Sequence, residues 1–179
     1  MNGNRVIRIM VVAVFALTAS LPGAAQAPPA APGIPAAPSP IGDISGLTKD
    51  AEGWLADLIR INTSNPPGNE EAAAKYVAGV LEKEGIKPEL LELTPGRSAV
   101  VARLRSAAVA DPSKALLLVA HLDVVPVEKS HWTVDPFAGV IKDGYLYGRG
   151  AIDDKGMLAA NLAAFIALKR SAARLTRDV

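Results

Sequence analysis

Hydrophobic and polar positions change period several times along this chain. Across residues 48–61, Trp54, Leu55, Leu58 and Ile59 recur at helical spacing and predict a first helix. The pattern breaks over residues 62–68, where Pro66-Pro67 cannot continue a helix. A second helix is predicted to start after Asn69, a favoured N-cap, with Glu70 and Glu71 in its first turn. Val77, Val80 and Leu81 mark its buried side and Gly85 its stop. Residues 90–93 and 99–104 read as strands joined around Pro95-Gly96. The second alternates Val100, Ala102 and Leu104 against Val101, Arg103 and Arg105, so one face is expected to be wet.

The rest of the chain is organised around residues 115–156. Residues 115–120 form an unbroken apolar run, Ala-Leu-Leu-Leu-Val-Ala. Such a run predicts a strand buried on both faces, as in a parallel sheet covered by helices. It stops at His121-Leu122-Asp123, and the ends of such strands are where α/β sheets gather their ligands. Two residues apart, His121 and Asp123 share a face if the strand continues. Asp143-Gly144, between residues 140–142 and 145–147, predicts a two-residue hairpin. Residues 157–169 are apolar nearly all round, the mark of a buried helix, with Lys169, Arg170 and Arg174 near its negative pole. The expected fold class is α/β, a mixed, mostly parallel sheet flanked by helices. Trp132 and Phe137 are expected to pack as a lid over the edge of the site, and His131 to lie at the surface.

Residues 1–27 read as a secretory signal peptide. Arg5 and Arg8 precede a short apolar core, and Ala25-Gln26-Ala27 is a small-x-small cleavage site, with cutting after Ala25 as the alternative. The core is too short to span a bilayer, so the chain is expected to be exported, periplasmic or extracellular, with no stable membrane anchor after cleavage. A retained anchor is the competing reading. Residues 28–46, rich in Pro and Ala, make a semi-extended linker. Residues 47–179 are then the folded region. The net charge of +1, from 19 basic and 18 acidic residues, gives no case for a nucleic-acid partner. Without cysteine, any metal must be held by carboxylates and by the two histidines, His121 and His131.

The chemistry concentrates in two motifs. A His with an Asp two residues on suits a metal ligand and the carboxylate that orients it, although a satisfied structural pair looks the same. The second motif, Gly148-Arg149-Gly150-Ala151-Ile152-Asp153-Asp154-Lys155-Gly156, delivers adjacent aspartates to the start of a helix. Neighbouring carboxylates are costly unless a cation or good hydrogen bonds compensate them. Lys155 reads either as an offset to that acidic cluster or as a solvated residue at the helix start. Gly148-x-Gly150 before a helix also suggests nucleotide binding, but Asp153 stands where the dinucleotide fingerprint wants its third Gly and would repel a pyrophosphate.

His121-Leu122-Asp123-Val124-Val125-Pro126, Trp132, Asp135-Pro136-Phe137, Asp143-Gly144 and the block from Gly148 to Gly156 together resemble the dizinc exopeptidases. That family includes aminoacylase, carboxypeptidase S, glutamate carboxypeptidase, acetylornithine deacetylase and succinyl-diaminopimelate desuccinylase. Asn65-Pro66-Pro67-Gly68-Asn69-Glu70 also resembles the family's segment after its first helix. The resemblance implies a zinc-dependent hydrolase of peptide or N-acyl amino-acid amide bonds. His121 would bind one zinc ion, Asp153 would bridge two, and Asp123 would act catalytically by orienting His121. Other divalent metals such as cobalt are alternatives. Asp154 would shape the turn, with a cis peptide between Asp153 and Asp154. A homodimer is one arrangement of the complete enzyme.

A complete member of that family also supplies a general-base Glu, further acidic ligands, a distant His and a smaller second domain. This chain offers no match for them, so it is expected to be the N-terminal portion of a hydrolase, inactive alone, with a sheet edge left unpaired. A non-catalytic exported remnant that binds zinc or a partner is the alternative from another class.

Overall fold

The computed structural model describes residues 45–107, 111–171 and 174–179. The predicted signal peptide and nearly all of the linker lie outside the described residues. Three helices form the packed part of the chain: α1 (Ser45–Arg60), α2 (Glu70–Lys83) and α3 (Lys155–Arg170). The apolar stripes read from the sequence are the ones they bury. Leu58 from α1, Val77 and Leu81 from α2, and Leu162, Phe165 and Ile166 from α3 meet in one hydrophobic cluster. Leu58 and Ile166 are wholly inaccessible, so truncating either to Ala would cost about 2–5 kcal/mol. Arg170 at the end of α3 ties the three helices together. Its Nε donates to Glu84 Oε2 at 2.9 Å, just past α2, and its two terminal nitrogens reach Asp50 of α1 at 3.4 Å.

Among the described residues the strands pair only as two antiparallel hairpins. β1 (Glu89–Thr94) pairs with β2 (Arg97–Val101), and β3 (Val140–Lys142) pairs with β4 (Tyr145–Tyr147). In the second hairpin Asp143 and Gly144 have φ of 53° and 80°, the type I′ geometry that an Asp-Gly pair favours. Asn69 sits at the N-cap of α2 but makes no side-chain cap bond. Instead Glu70 at the first position is clamped by Arg97, which donates from Nε to Oε2 at 3.0 Å and from a terminal nitrogen to Oε1 at 2.8 Å.

The mixed, mostly parallel sheet is not assembled in these residues, a correction to the expectation from sequence. Residues 115–120 run between α3 and solvent without strand pairing, and Leu117 and Val119 are 79% and 67% exposed. The reason is backbone supply. An apolar strand is buried on both faces only when neighbours satisfy its N–H and C=O groups. Here Leu116 N–H reaches Asp178 O at 2.9 Å, and Val119 O accepts from Asn161 Nδ2 at 3.2 Å. Leu117, Leu118 and Ala120 have no backbone hydrogen bond among the described residues. Parallel pairing survives at one isolated bridge, Ser64 with Val124. That bridge fixes the site, because it ties the loop after α1 to the segment after His121. No described helix is long and apolar enough to cross a membrane.

Candidate metal centre

The turn from Gly148 to Asp154 lies where α3 begins and where residues 115–120 end. Gly148 has no room for a side chain, since an added Cβ would overlap Ile59 Cγ2. Gly150 has φ of 86°, and an added Cβ would stand 2.6 Å from Val124 Cγ1. Both positions need glycine to let the turn lie flat against α1 and the His121 segment. The turn's far end is held by Lys155. Its side chain is 0% exposed, and Nζ donates to Leu58 O at 2.8 Å and Ile61 O at 2.7 Å. A buried ammonium thus satisfies carbonyls at the C-terminal end of α1, where the helix dipole favours positive charge. Burial lowers its pKa to about 8. Both sequence readings of Lys155, as offset to the aspartates and as a solvated residue, give way to this one.

With the turn fixed, His121 and Asp153 face each other. His121 Nε2 is 2.9 Å from Asp153 Oδ1, and the Asp153–Asp154 peptide is cis, as the resemblance implied. His121 Nδ1 lies 2.9 Å from the Asp123 backbone O and 3.1 Å from Asp123 Oδ1. Asp154 is turned away from this pair, with Oδ2 accepting the His121 backbone N–H at 3.3 Å. The structure therefore brings His121, Asp123 and Asp153 together and ties Asp154 to the His121 backbone. His131 stands apart on the surface, 3.6 Å from Glu128.

Sequence reading missed Asn65. Its amide Nδ2 donates to Asp123 Oδ2 at 2.9 Å, and its backbone N–H donates to Val124 O at 2.9 Å. Thr63, wholly buried, donates from its hydroxyl to Leu122 O at 2.7 Å. The signals for these residues were the polar run preceding Pro66-Pro67, which a plain turn explains equally well, and the family resemblance of the segment from Asn65 to Glu70, which assigned Asn65 no role. A chain of polar contacts now runs from Asn65 through Asp123 and His121 to Asp153.

The electrostatics follow from that chain. The Asn65 amide holds the Asp123 carboxyl below its ordinary pKa against the opposing effect of burial, and His121 adds to the lowering. Burial pushes the His121 imidazole down. Its hydrogen bonds to the Asp153 carboxylate and the Asp123 backbone carbonyl, together with both carboxylate charges, outweigh it and leave the imidazole above its ordinary value. A cavity of about 390 Å³ opens over the pair, lined by His121, Asp123, Trp132, Arg149 and Asp153 among others. Trp132 is part of its wall, and the Arg149 guanidinium carbon stacks 5.4 Å from the indole ring centroid.

Arg149 Nε is buried with no hydrogen-bond partner among the described residues. The donor set suits a borderline divalent ion. One imidazole nitrogen is anchored by a carboxylate, which leaves the other nitrogen facing a second carboxylate. Among the described residues no group of three or more His, Cys, Asp or Glu side chains is placed to hold an ion.

This is an imidazole–carboxylate centre at the junction of an apolar segment and a helix start. Residues 117–179 match Peptidase family M20/M25/M40, so the resemblance to the dizinc exopeptidases stands. A probable succinyl-diaminopimelate desuccinylase of Staphylococcus aureus (strain MRSA252) is 38% identical over 116 residues, 64% of this chain and 27% of that protein. An N-formyl-4-amino-5-aminomethyl-2-methylpyrimidine deformylase of Bacillus subtilis is 35% identical over 124 residues, covering 68% of this chain and 29% of its own.

Among solved structures, an M20 family metallo-carboxypeptidase, Sso-CP2 from Sulfolobus solfataricus, superposes with a TM-score of 0.63. It is 31% identical over 73% of this chain and 29% of that one. The di-peptidase Dug1p of Saccharomyces cerevisiae gives 0.59 at 26% identity, covering 75% of this chain and 31% of its own. The chain spans roughly 27–29% of the length of the curated relatives it matches. These relatives and neighbours are named for hydrolysis of acyl or peptide bonds, and the matched family is one of peptidases.

Proposed function

We propose that this chain carries part of the metal centre of an exported, zinc-dependent amidohydrolase or exopeptidase that cleaves peptide or N-acyl amino-acid amide bonds. The observation that carries the reading is His121 Nε2 facing Asp153 Oδ1 at 2.9 Å while Asp123 engages Nδ1. In this reading His121 would hold one metal ion and Asp153 would serve both ions of a pair. When bound, zinc, or another divalent ion such as cobalt, polarises the amide carbonyl and lowers the pKa of a bound water towards about 7. Asp123 keeps the imidazole in the tautomer that presents a lone pair on Nε2. Asn65 keeps Asp123 ionised and in place. Trp132 and Arg149 wall the cavity in which the scissile amide would lie.

The chain alone is expected not to turn substrate over, because the described residues converge only one imidazole and one further carboxylate on the ion position. That same observation supports the second reading, an exported zinc- or partner-binding remnant without catalysis. A chimera separates them. Residues 47–179 are exchanged for the matching N-terminal part of the Staphylococcus aureus relative and assayed against N-acyl amino acids and dipeptides. The hydrolase reading predicts zinc-dependent turnover that His121→Ala removes. A folded but inactive chimera, or one indifferent to zinc, favours the remnant.

A further inference from the structure

Glu70 opens α2 with its carboxylate turned back against the chain. The residue is buried at 7% exposure, and both carboxylate oxygens lie over Gly68, each 2.9 Å from where a Cβ there would stand. A buried carboxylate is costly unless charge and hydrogen bonds compensate it. Arg97, at the start of β2, supplies both through its two bonds to Oε1 and Oε2, the fork that arginine offers a carboxylate. Arg97 Nε stands 3.0 Å from the same Cβ position, so the ion pair closes over the backbone of Gly68. The next residue, Glu71, ties the helix start to the hairpin turn by donating its N–H to Gly96 O at 3.1 Å.

Gly68 belongs to the loop that carries Asn65. Its N–H donates to Ser64 O at 2.9 Å, which closes residues 64–68 into one turn. Backbone bonds stitch one side of that turn to the His121 segment. Val124 N–H donates to Thr63 O at 3.1 Å, and Asn65 N–H donates to Val124 O at 2.9 Å. The Glu70–Arg97 pair holds the other side. From between them the Asn65 amide reaches Asp123 Oδ2. Contacts thus run without a break from β2 through Glu70, Gly68 and Asn65 to Asp123 and His121.

We propose that Glu70 and Arg97 are positioning residues, acting through the turn of residues 64–68 to hold the Asn65 amide on Asp123 and so to steady the imidazole of His121. Without Arg97 the Glu70 carboxylate loses its countercharge. To regain water it must leave Gly68, and the turn loosens with it. The ion pair between a hairpin and a helix start thereby reaches the centre through one loop. Its consequence for zinc rests on the reading of His121 and Asp153 as the metal-holding pair. Its consequence for Asn65 does not.

Two readouts on the full chain test this. In Arg97→Ala the Asn65 side-chain amide protons should exchange with water about tenfold faster, read by NMR saturation transfer, because protection follows local opening. Zinc affinity should fall by about tenfold, and Arg97→Ala should add nothing further in an Asn65→Ala background. Arg97→Lys keeps the charge without the fork and should move both readouts the same way by less; it decides the matter if Arg97→Ala does not fold. Arg170→Ala breaks the pair with Glu84, so it should lower the denaturant midpoint while leaving both readouts alone. An unchanged Asn65 amide in the folded Arg97 variants overturns the proposal. So does an equal change in Arg170→Ala, or zinc losses that add in the double variant. Faster Asn65 exchange with undiminished zinc affinity upholds the link from Arg97 to Asn65 and counts against the metal reading instead.

Discussion

The side-chain amide of Asn65 donates to Asp123 Oδ2 at 2.9 Å, across 58 positions of sequence. This bond leaves Asp123 Oδ1 directed at His121 Nδ1, so a loop residue after α1 controls the orientation of the imidazole. Asn65→Ala should leave the fold intact and weaken zinc binding about tenfold, the lower end of what supporting residues around metal ligands contribute. Asn65→Asp should weaken it further by setting two carboxylates against each other. Competition with a chelator measures both. Wild-type affinity in Asn65→Ala would show that Asp123 needs no such support.

Lys155 joins the Asp153 turn to α1 through Leu58 O and Ile61 O. Lys155→Met keeps most of the volume but takes from Ile61 O its ammonium donor and leaves Leu58 O with the Ile61 backbone N–H at 3.2 Å, and should cost about 2 kcal/mol. Denaturant midpoints read this directly. An unchanged midpoint would mean that water replaces the ammonium without loss.

Gly150 combines φ of 86° with close approach to Val124. Gly150→Ala should destabilise the chain by about 1–3 kcal/mol and displace Asp153 from His121. The expected signature is loss of zinc affinity beyond the loss of stability. A variant with lowered stability but normal affinity would separate the turn from the site.

The Glu84–Arg170 pair gives a pH dependence. Arg170 holds the Glu84 carboxyl below its ordinary 4.5 in the folded chain. The unfolded state therefore binds the proton first as pH falls, so this contribution is present above 4.5 and fades below it. Glu84→Gln should flatten the acid limb of the stability curve below pH 4.5 and lower stability at neutral pH. An acid limb unchanged by the substitution would contradict this.

The sequence made the helices legible because their apolar positions recur at 3.6-residue spacing, and the Asp143-Gly144 hairpin because only a few residue pairs accept two positive φ angles. His121, Asp123 and Asp153 could be picked out as a set because their motifs are local. The parallel sheet read from residues 115–120 was a statement about partners. Asp178 reaches only the start of that segment, accepting from Leu116 N–H. Asn65 and Lys155 escaped for the same reason, since their roles lie in contacts 58 and 94–97 positions away. A polar residue before prolines, and a lysine at a helix start, carry no mark of such distant partners.

Zinc binding to the purified chain and three single variants tests the central claim most directly. Titration calorimetry on the wild type should show measurable zinc affinity, lowered at least tenfold by His121→Ala and by Asp153→Ala and unchanged by His131→Ala. Undiminished binding in His121→Ala, or an equal loss in His131→Ala, would contradict the assignment of His121 and Asp153 as the metal-holding pair.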